Sequence, residues 1–513
     1  MTTMKITKYI FISLLVFLLT NCDLEKFPYD SLSKEDFGSL SGIKLLSTGI
    51  YSDLSSGSDK LLLTYNNYSS DDFAKLTRTA NTEPGSFTTN LIDLTNNGTS
   101  SWNLWKNCYK NIRTCNNVIA ENKIGTDEEI NEAVAELYFL RAFNYYILST
   151  LFTRPNTQMD ISNLGLPLRL NPDDYSEASR STLEELYQQM ISDLEIAVQH
   201  LKPVSDRTRA SKEAAYALLA RIYNSMLKPT NPDQTIATKA IQAAGSVLNS
   251  GNVAIETDAT KFFGSSKVEV TKWPSGTKHY FSSALNSRET IWLLFRTSVT
   301  SLGNCLDAEY NQSKTGQYLP ISNDYFNILN KYPNDLRNNL IDKSYDKDGK
   351  IIYADAVHQA PSINCNKYSF QGGVNNLGSM IVFRATEMYM ILAEIYAKQG
   401  NVAKALENIN NLRKRAGIEQ FTEANWSSNA YGIKSLLDLV LNEKRLEMIG
   451  ENQRKWDVYR NQKDMIRMYG FDSDNYLEEY QGGTIVRWNS KEIIVPIPYG
   501  RILQSPDMVQ NPY

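Results

Sequence analysis

Aromatic and small residues recur along this chain at steps of three and four. Tyr138-x-x-Arg141-Ala142-x-x-Tyr145, Tyr216-x-x-Leu219-Ala220-x-x-Tyr223 and Tyr389-x-x-Leu392-Ala393-x-x-Tyr396 share one order: aromatic, large, small, aromatic. In a helix such steps return to one face, so the tyrosines flank an alanine where a second helix can approach closely. The pattern predicts three related helix pairs. The copies begin at residues 138, 216 and 389, much farther apart than the roughly 34-residue period of a tight helical array. Long segments are therefore inserted between the pairs.

The third copy is followed by Gly400-Asn401 as a turn, then by Ala405 and Ile409 at the offsets of the second helix of a tetratricopeptide unit. Outside the pairs the periodicity fails. Residues 51–100 are rich in Ser, Thr, Asn and Asp, with Pro84-Gly85 and Asn97-Gly98 as turn signals, and read as irregular surface. Residues 251–380 mix short apolar runs, such as Thr290 to Phe295, with Trp273-Pro274, Gly276, Gly303, Gly316 and Gly372-Gly373, which reads as loops with short strands. The end of the chain carries Pro496-Ile497-Pro498 and Gln510-Asn511-Pro512, which exclude helix and predict a tail packed along the helical body. The expected fold is mostly α: tetratricopeptide-like helical pairs, long irregular loop insertions and a few short strands.

The amino terminus has its own logic. Lys5 and Lys8 precede the apolar run Tyr9–Thr20, which meets Asn21-Cys22 and then Asp23, Glu25 and Lys26. Spanning a bilayer takes about 20 apolar residues. This shorter run reads as a signal peptide over residues 1–21. The rest, with 42% hydrophobic and 21% charged residues among 513, has globular composition. A net charge of −4 provides no basic field for nucleic acid. Three histidines, His200, His279 and His358, give little material for a multi-histidine metal centre, and no metal or cofactor is expected. Cys108 and Cys115 are seven apart in a helical stretch, a rise of about 10.5 Å, too far for a disulfide; they are expected as buried small hydrophobes.

Motifs for phosphate cradling, zinc hydrolysis and nucleophile elbows are missing from the sequence. Glu443, Arg445, Glu447, Glu451, Arg454, Asp457 and Arg460 resemble the carboxylate pairs of glycoside hydrolysis, but on one continuous helix their spacing favours ion pairs. Ser344, Asp346, Asp348, Gly349 and Asp355 partly match a calcium loop; the favoured reading is a hairpin with Asp348-Gly349 as its turn before Ile351-Ile352.

Several blocks, taken in order, resemble the SusD/RagB family of nutrient-capturing surface lipoproteins. They are Ala135-Glu136-Leu137-Tyr138-Phe139-Leu140-Arg141-Ala142, Gly165-Leu166-Pro167-Leu168, Leu183-Glu184-Glu185-Leu186 with Asp193-Leu194-Glu195, and Ala210-Ser211-Lys212. Then come Arg384-Ala385-Thr386-Glu387-Met388-Tyr389, Ile409-Asn410-Asn411-Leu412-Arg413, Glu443-Lys444-Arg445-Leu446-Glu447, Arg454-Lys455-Trp456-Asp457 and the closing Pro-Ile-Pro and Gln-Asn-Pro. Asn21 stands where a lipobox has a small residue, and Ile449 to Arg454 departs from the family's Glu-Gly-x-Arg. The resemblance implies one domain over residues 22–513, with 101–250 and 381–460 as scaffold and 51–100 plus 251–380 as variable, loop-rich ligand-binding regions. It implies acylation of Cys22, outer-membrane anchoring facing the cell exterior, and a SusC-like TonB-dependent transporter as partner. The implied role is glycan capture and delivery without catalysis, with peptide capture or surface glycoside hydrolysis as alternatives.

Candidate ligand contacts come from the loops, because sugar capture needs flat aromatic faces and hydroxyl-bonding polar groups. Asp72, Arg78, Phe87 and Asn90 in the first loop, and Trp273, Tyr280, Tyr310 and Tyr318 in the second, supply them. Each aromatic could instead anchor its own loop. Trp102 and Trp105 have core spacing.

Overall fold

The computed structural model describes residues 37–58, 62, 66–67, 69–73, 99–172, 179–263, 283–297, 321–342, 344–345, 351–352, 364–365, 367, 371, 377–428, 433–468, 483–498 and 507–512. Helices α1 (Leu40–Asp53), α2 (Thr99–Glu121), α3 (Glu128–Phe152), α4 (Leu183–His200), α5 (Lys212–Met226) and α6 (Gln234–Leu248) open the chain. Each of α3 to α6 starts at a side chain that accepts backbone N–H groups: Asp127, Thr182, Ser211 and Asp233. The short helix α7 (Ala259–Phe263), strand β1 (Thr290–Leu294) and helix α8 (Asn323–Asn330) follow, then the short strands β2 (Ile341–Asp342), β3 (Ser344–Tyr345), β4 (Ile351–Ile352) and β5 (Asn364–Cys365). The chain continues through β6 (Met380–Arg384), α9 (Ala385–Lys398), α10 (Val402–Arg415), α11 (Leu436–Glu447), α12 (Arg454–Arg460), β7 (Met465–Met468) and β8 (Gly483–Val486).

The three sequence repeats lie on α3, α5 and α9, and each is the first helix of an antiparallel pair: α3 with α4, α5 with α6, α9 with α10. Ala142, Ala220 and Ala393 are fully buried between neighbouring helices. The pairs stack, since α4 packs on α5 and α6 packs on α9. The segment between α6 and α9 thus loops out without separating the two pairs. It is closed at its base by β1 and β6, antiparallel with Thr290 opposite Arg384 and Leu294 opposite Met380. The expected hairpin is present, with Ser344 opposite Ile352 and Tyr345 opposite Ile351; its turn lies outside the described residues. Cys108 and Cys115 are buried and unpaired with each other, and burial pushes both thiols well above the usual range. Trp105 is core, packed edge-on against Phe152.

The tail packs as predicted. Val495 N donates to Leu151 O at 2.8 Å, and Asn511 Nδ2 donates to the carbonyls of Phe152 and Val495 at 2.8 and 2.7 Å. Arg180 links this tail to Gly165, donating to Gly165 O at 2.7 Å and to Asn511 Oδ1 at 2.6 Å. A Cβ on Gly165 would stand 2.5 Å from both Ser181 Oγ and Thr182 O. One of those contacts is backbone, so the strand-like junction must move. Gly165→Ala is expected to cost about 1–3 kcal/mol, read as a lowered urea midpoint at unchanged slope.

Two expectations need correction. Residues 443–460 do not form one helix: α11 stops at Glu447, and Gly450 (φ +74°) and Asn452 (φ +64°) turn the chain before α12. Left-handed backbone ends a helix, and glycine adopts it without penalty. The charges pair, but chiefly with distant elements rather than along the helix. In the first loop, α1 runs on to Asp53, and residues 66–67 and 69–72 are not surface. Asn66, Asn67, Ser69, Ser70, Asp71 and Asp72 are all buried, because their polar groups find internal partners that composition cannot reveal.

Candidate functional site

The charged residues of the recurring sequence blocks meet inside the protein. Arg141 on α3 forks onto Asp193 of α4 at 2.8 and 2.6 Å and also reaches Asn116 of α2. Arg221 on α5 holds Glu387 of α9 at 2.6 and 2.7 Å, and Arg460 of α12 holds Glu394 of α9 at 2.6 Å through each of two nitrogens. Arg384, fully buried, bonds Glu289, Glu447 and Glu451 at 2.9–3.0 Å. Arg415 spans Glu289 and Glu447 at 2.8 and 2.6 Å while its guanidinium lies 3.6 Å from the centre of the Phe262 ring. Burial alone would raise the Glu447 carboxyl, but Arg415 and Arg384 outweigh it and hold it near about 2. Paired in this way, Glu447 stays ionised in the core and away from water.

A second charged cluster ties together the ends of two of the stretches that hold candidate ligand contacts. Phe73, last described residue before the stretch 74–98, forms an antiparallel bridge with Ile321, first described residue after the stretch 298–320. Ser322 tightens the junction: its N–H donates to Asp72 O at 2.8 Å, its hydroxyl donates to Asp71 O at 2.6 Å, and the same oxygen caps α8 by accepting from Tyr325 N. Arg445 on α11 crosses the junction from below. Its Nε donates to Asp72 Oδ1 at 2.8 Å, Nη1 to Asp324 Oδ2 at 2.5 Å and Nη2 to Asp71 O at 2.6 Å. Arg454 on α12 forks onto the Asp71 carboxylate at 2.7 and 2.8 Å. Such bidentate, charge-assisted bonds combine strength with fixed geometry. A third stretch, 264–282, lies between α7 and Ser283, with Phe262, Phe263 and Ala284 in one apolar cluster beside Arg384 and Arg415.

Of the sequence-derived contacts, Asp72 is described: it is 2% exposed, with its carboxylate engaged by Arg445. Its place is at the root of the first loop. Arg78, Phe87, Asn90, Trp273, Tyr280, Tyr310 and Tyr318 lie outside the described residues, as does Cys22. The ends of the stretches holding Arg78, Phe87 and Asn90, and Tyr310 and Tyr318, are hydrogen-bonded to each other across the junction, while Trp273 and Tyr280 belong to the stretch rooted on α7. Sequence reasoning missed Asp71, Asp324, Arg445 and Arg454 as loop anchors. The only local signal was a pair of adjacent aspartates, Asp71-Asp72, preceded by the mostly polar run Asn66 to Ser70.

Between α3, α5, α9 and α12 lies a cavity of about 40 Å³, lined among others by Tyr146, Asn224, Asn452 and Trp456. Asn224 Oδ1, Asn452 Oδ1 and Trp456 Nε1 have no hydrogen-bond partner among the described residues. Sites for drug-sized ligands run to about 300–1,000 Å³, whereas a few tens of Å³ suit water. This cavity is too small for a sugar ring.

Two family descriptions match the chain. "Starch-binding associating with outer membrane" covers residues 24–224, and "SusD family" covers residues 355–513. SusD-like protein P25 of Formosa agariphila is 25% identical over 502 residues, spanning 89% of this chain and 90% of that protein. SusD-like protein P2 of the same organism is 26% identical over 486 residues, spanning 89% and 91%. Among solved structures, a SusD superfamily protein from Bacteroides thetaiotaomicron superposes with a TM-score of 0.72 at 22% identity, over 93% of this chain and all of that one. A putative sugar binding protein from Bacteroides vulgatus gives 0.71 at 22%, over 93% and 98%. With matches at both ends, full-length relatives and a shared fold, this chain belongs to the SusD family.

Proposed function

We propose that this protein captures carbohydrate at the outer-membrane surface and passes it to a SusC-like TonB-dependent transporter, anchored through an acylated Cys22. The chain from residue 22 acts as one domain, its stacked helix pairs presenting the loops that hold Arg78, Phe87, Asn90, Trp273, Tyr280, Tyr310 and Tyr318. The observation that carries this reading is the Phe73–Ile321 bridge. It joins two polar, aromatic-bearing stretches at one rigid root, so groups distant in sequence can converge on one ligand. Family relatives described as starch-binding and sugar-binding supply the ligand class.

The reading is capture without hydrolysis. Glycoside hydrolysis needs one carboxyl held protonated and a second facing water or the sugar. Glu443, Glu447, Glu451 and Asp457 are each buried against arginine or lysine. A chain lacking residues 1–22, incubated with a panel of plant and host polysaccharides and a peptide mixture, is expected to retain one polysaccharide class and release no shorter fragments. Release of fragments overturns capture, and retention of peptides alone overturns the carbohydrate assignment.

A further inference from the structure

Polar groups of opposite sense line the small cavity between α3, α5, α9 and α12. Asn224 on α5 donates from Nδ2 to Glu394 Oε2 at 3.1 Å, which fixes its amide and leaves Oδ1 without a partner among the described residues. Asn452, held at φ +64° between α11 and α12, also leaves Oδ1 unpartnered there, while its Nδ2 faces the Met380 sulfur at 3.9 Å. Trp456 on α12 presents an indole N–H that is likewise without a described partner. Lys444 on α11 carries three N–H donors, and its described bonds go to the two oxygens of Asp457 at 3.0 and 2.9 Å, which leaves a donor over. The wall therefore offers two acceptors, from the asparagines, and two donors, from Trp456 and Lys444. Asn224, Lys444 and Trp456 are 2, 3 and 8% exposed, so none of them turns to bulk solvent instead.

This mixture selects the occupant. Charge on the wall is balanced, with Arg221, Lys444 and Arg460 against Glu387, Glu451 and Asp457. Two amide oxygens disfavour an anion, and an indole N–H beside an ammonium disfavours a cation. An apolar guest would leave each of these groups unpaired in the core, which is costly for a buried polar atom. Water carries two donors and two acceptors on one oxygen, and at roughly 10–15 Å³ per molecule a cavity of 40 Å³ admits about two or three. We infer that the cavity is a built hydration site: ordered water accepts from Trp456 Nε1 and Lys444 Nζ and donates to Asn224 Oδ1 and Asn452 Oδ1. It joins α5, of the second helix pair, to α11 and α12, the helices whose Arg445 and Arg454 hold the loop junction. Hydration is thus part of the frame behind the loops, and its test needs no carbohydrate.

A crystal structure of the chain lacking residues 1–22, at a resolution that orders solvent, reads the site directly. Density peaks are expected within hydrogen-bond distance, about 2.7–3.2 Å, of Trp456 Nε1, Lys444 Nζ, Asn224 Oδ1 and Asn452 Oδ1, each group reached by at least one peak. In solution, with tryptophan labelled with nitrogen-15, the Trp456 indole proton is expected to show cross-relaxation with water, of the sign given by a molecule that stays bound longer than the protein takes to tumble. Trp456→Phe identifies that resonance by its loss. No peak in the cavity, a peak with the anomalous scattering or coordination of an ion, or a direct bond from Trp456 Nε1 to either amide oxygen overturns the inference. So does a crystal peak without cross-relaxation in solution. Should Trp456→Phe not fold, the crystal structure decides alone.

Discussion

Arg384→Met is expected to destabilise the protein by about 3–5 kcal/mol, measured by urea unfolding at pH 7, because it strands carboxylates that cannot reach water. Arg384 bonds Glu289, Glu447 and Glu451 and also donates to the Glu447 carbonyl at 3.1 Å. Without it three carboxylates share Arg415 and Lys367. Arg384→Lys is expected to recover little, since one ammonium cannot reproduce the fork that spans three acids. Two of these acids, Glu447 and Glu451, are held below the ordinary carboxylate range by their cations. Glu447, held near about 2 against an ordinary 4.5, contributes stability that is present above pH 4.5 and is lost as pH falls toward 2. In Arg384→Met that slope is expected to flatten. A variant as stable as the native chain would show that the buried pairs cost as much to desolvate as they return.

The second large effect is at Trp292. Its ring, fully buried on β1, meets Phe143 and Phe139 edge-on at 4.7 and 5.0 Å, Tyr51 at 6.2 Å, and lies against Phe383 of β6 at 5.9 Å. It therefore joins α1, α3 and the strand pair that closes the long insertion. Trp292→Ala is expected to cost about 3–5 kcal/mol, through lost burial and the cavity left behind. Trp292→Phe is expected to cost far less than its volume loss suggests. Trp292 Nε1 has no hydrogen-bond partner among the described residues, and removing a buried, unpartnered donor offsets part of the lost packing. Urea midpoints of the two variants, compared at equal slope, check both statements.

These two residues also mark the boundary of what the sequence reveals. Helix periodicity placed the tyrosine and alanine positions of α3, α5 and α9 correctly, because a face is a local property of three-and-four spacing. The hairpin at β3 and β4 and the packed tail follow from equally local turn and proline chemistry. The charged blocks were visible, but their partners were not. Spacing reports which residues share a face of one helix, and says nothing about Glu289 waiting on another element for Arg384 and Arg415. The break between α11 and α12 had one local signal, Gly450, weaker than the run of helix-forming residues around it. Asp72 shows the reverse error, since polar composition suggests surface, while burial is decided by whether a partner such as Arg445 arrives.

Arrival is also a matter of time. Arg445 follows Asp72 by 373 residues and Arg454 follows Asp71 by 383, so a ribosome adding about 5–20 residues per second supplies the second half of the junction only after about 20–75 s. Through that interval the carboxylates of Asp71 and Asp72 lack their arginines, and until Ile321 and Ser322 emerge the segment also lacks its bridge. An apolar segment in its position would be free to stick to any neighbouring nascent chain, whereas Asn66, Asn67, Ser69, Ser70, Asp71 and Asp72 stay hydrated until the arginines emerge. The centre of this fold is written in charge, which lets its first-made part wait safely for its last.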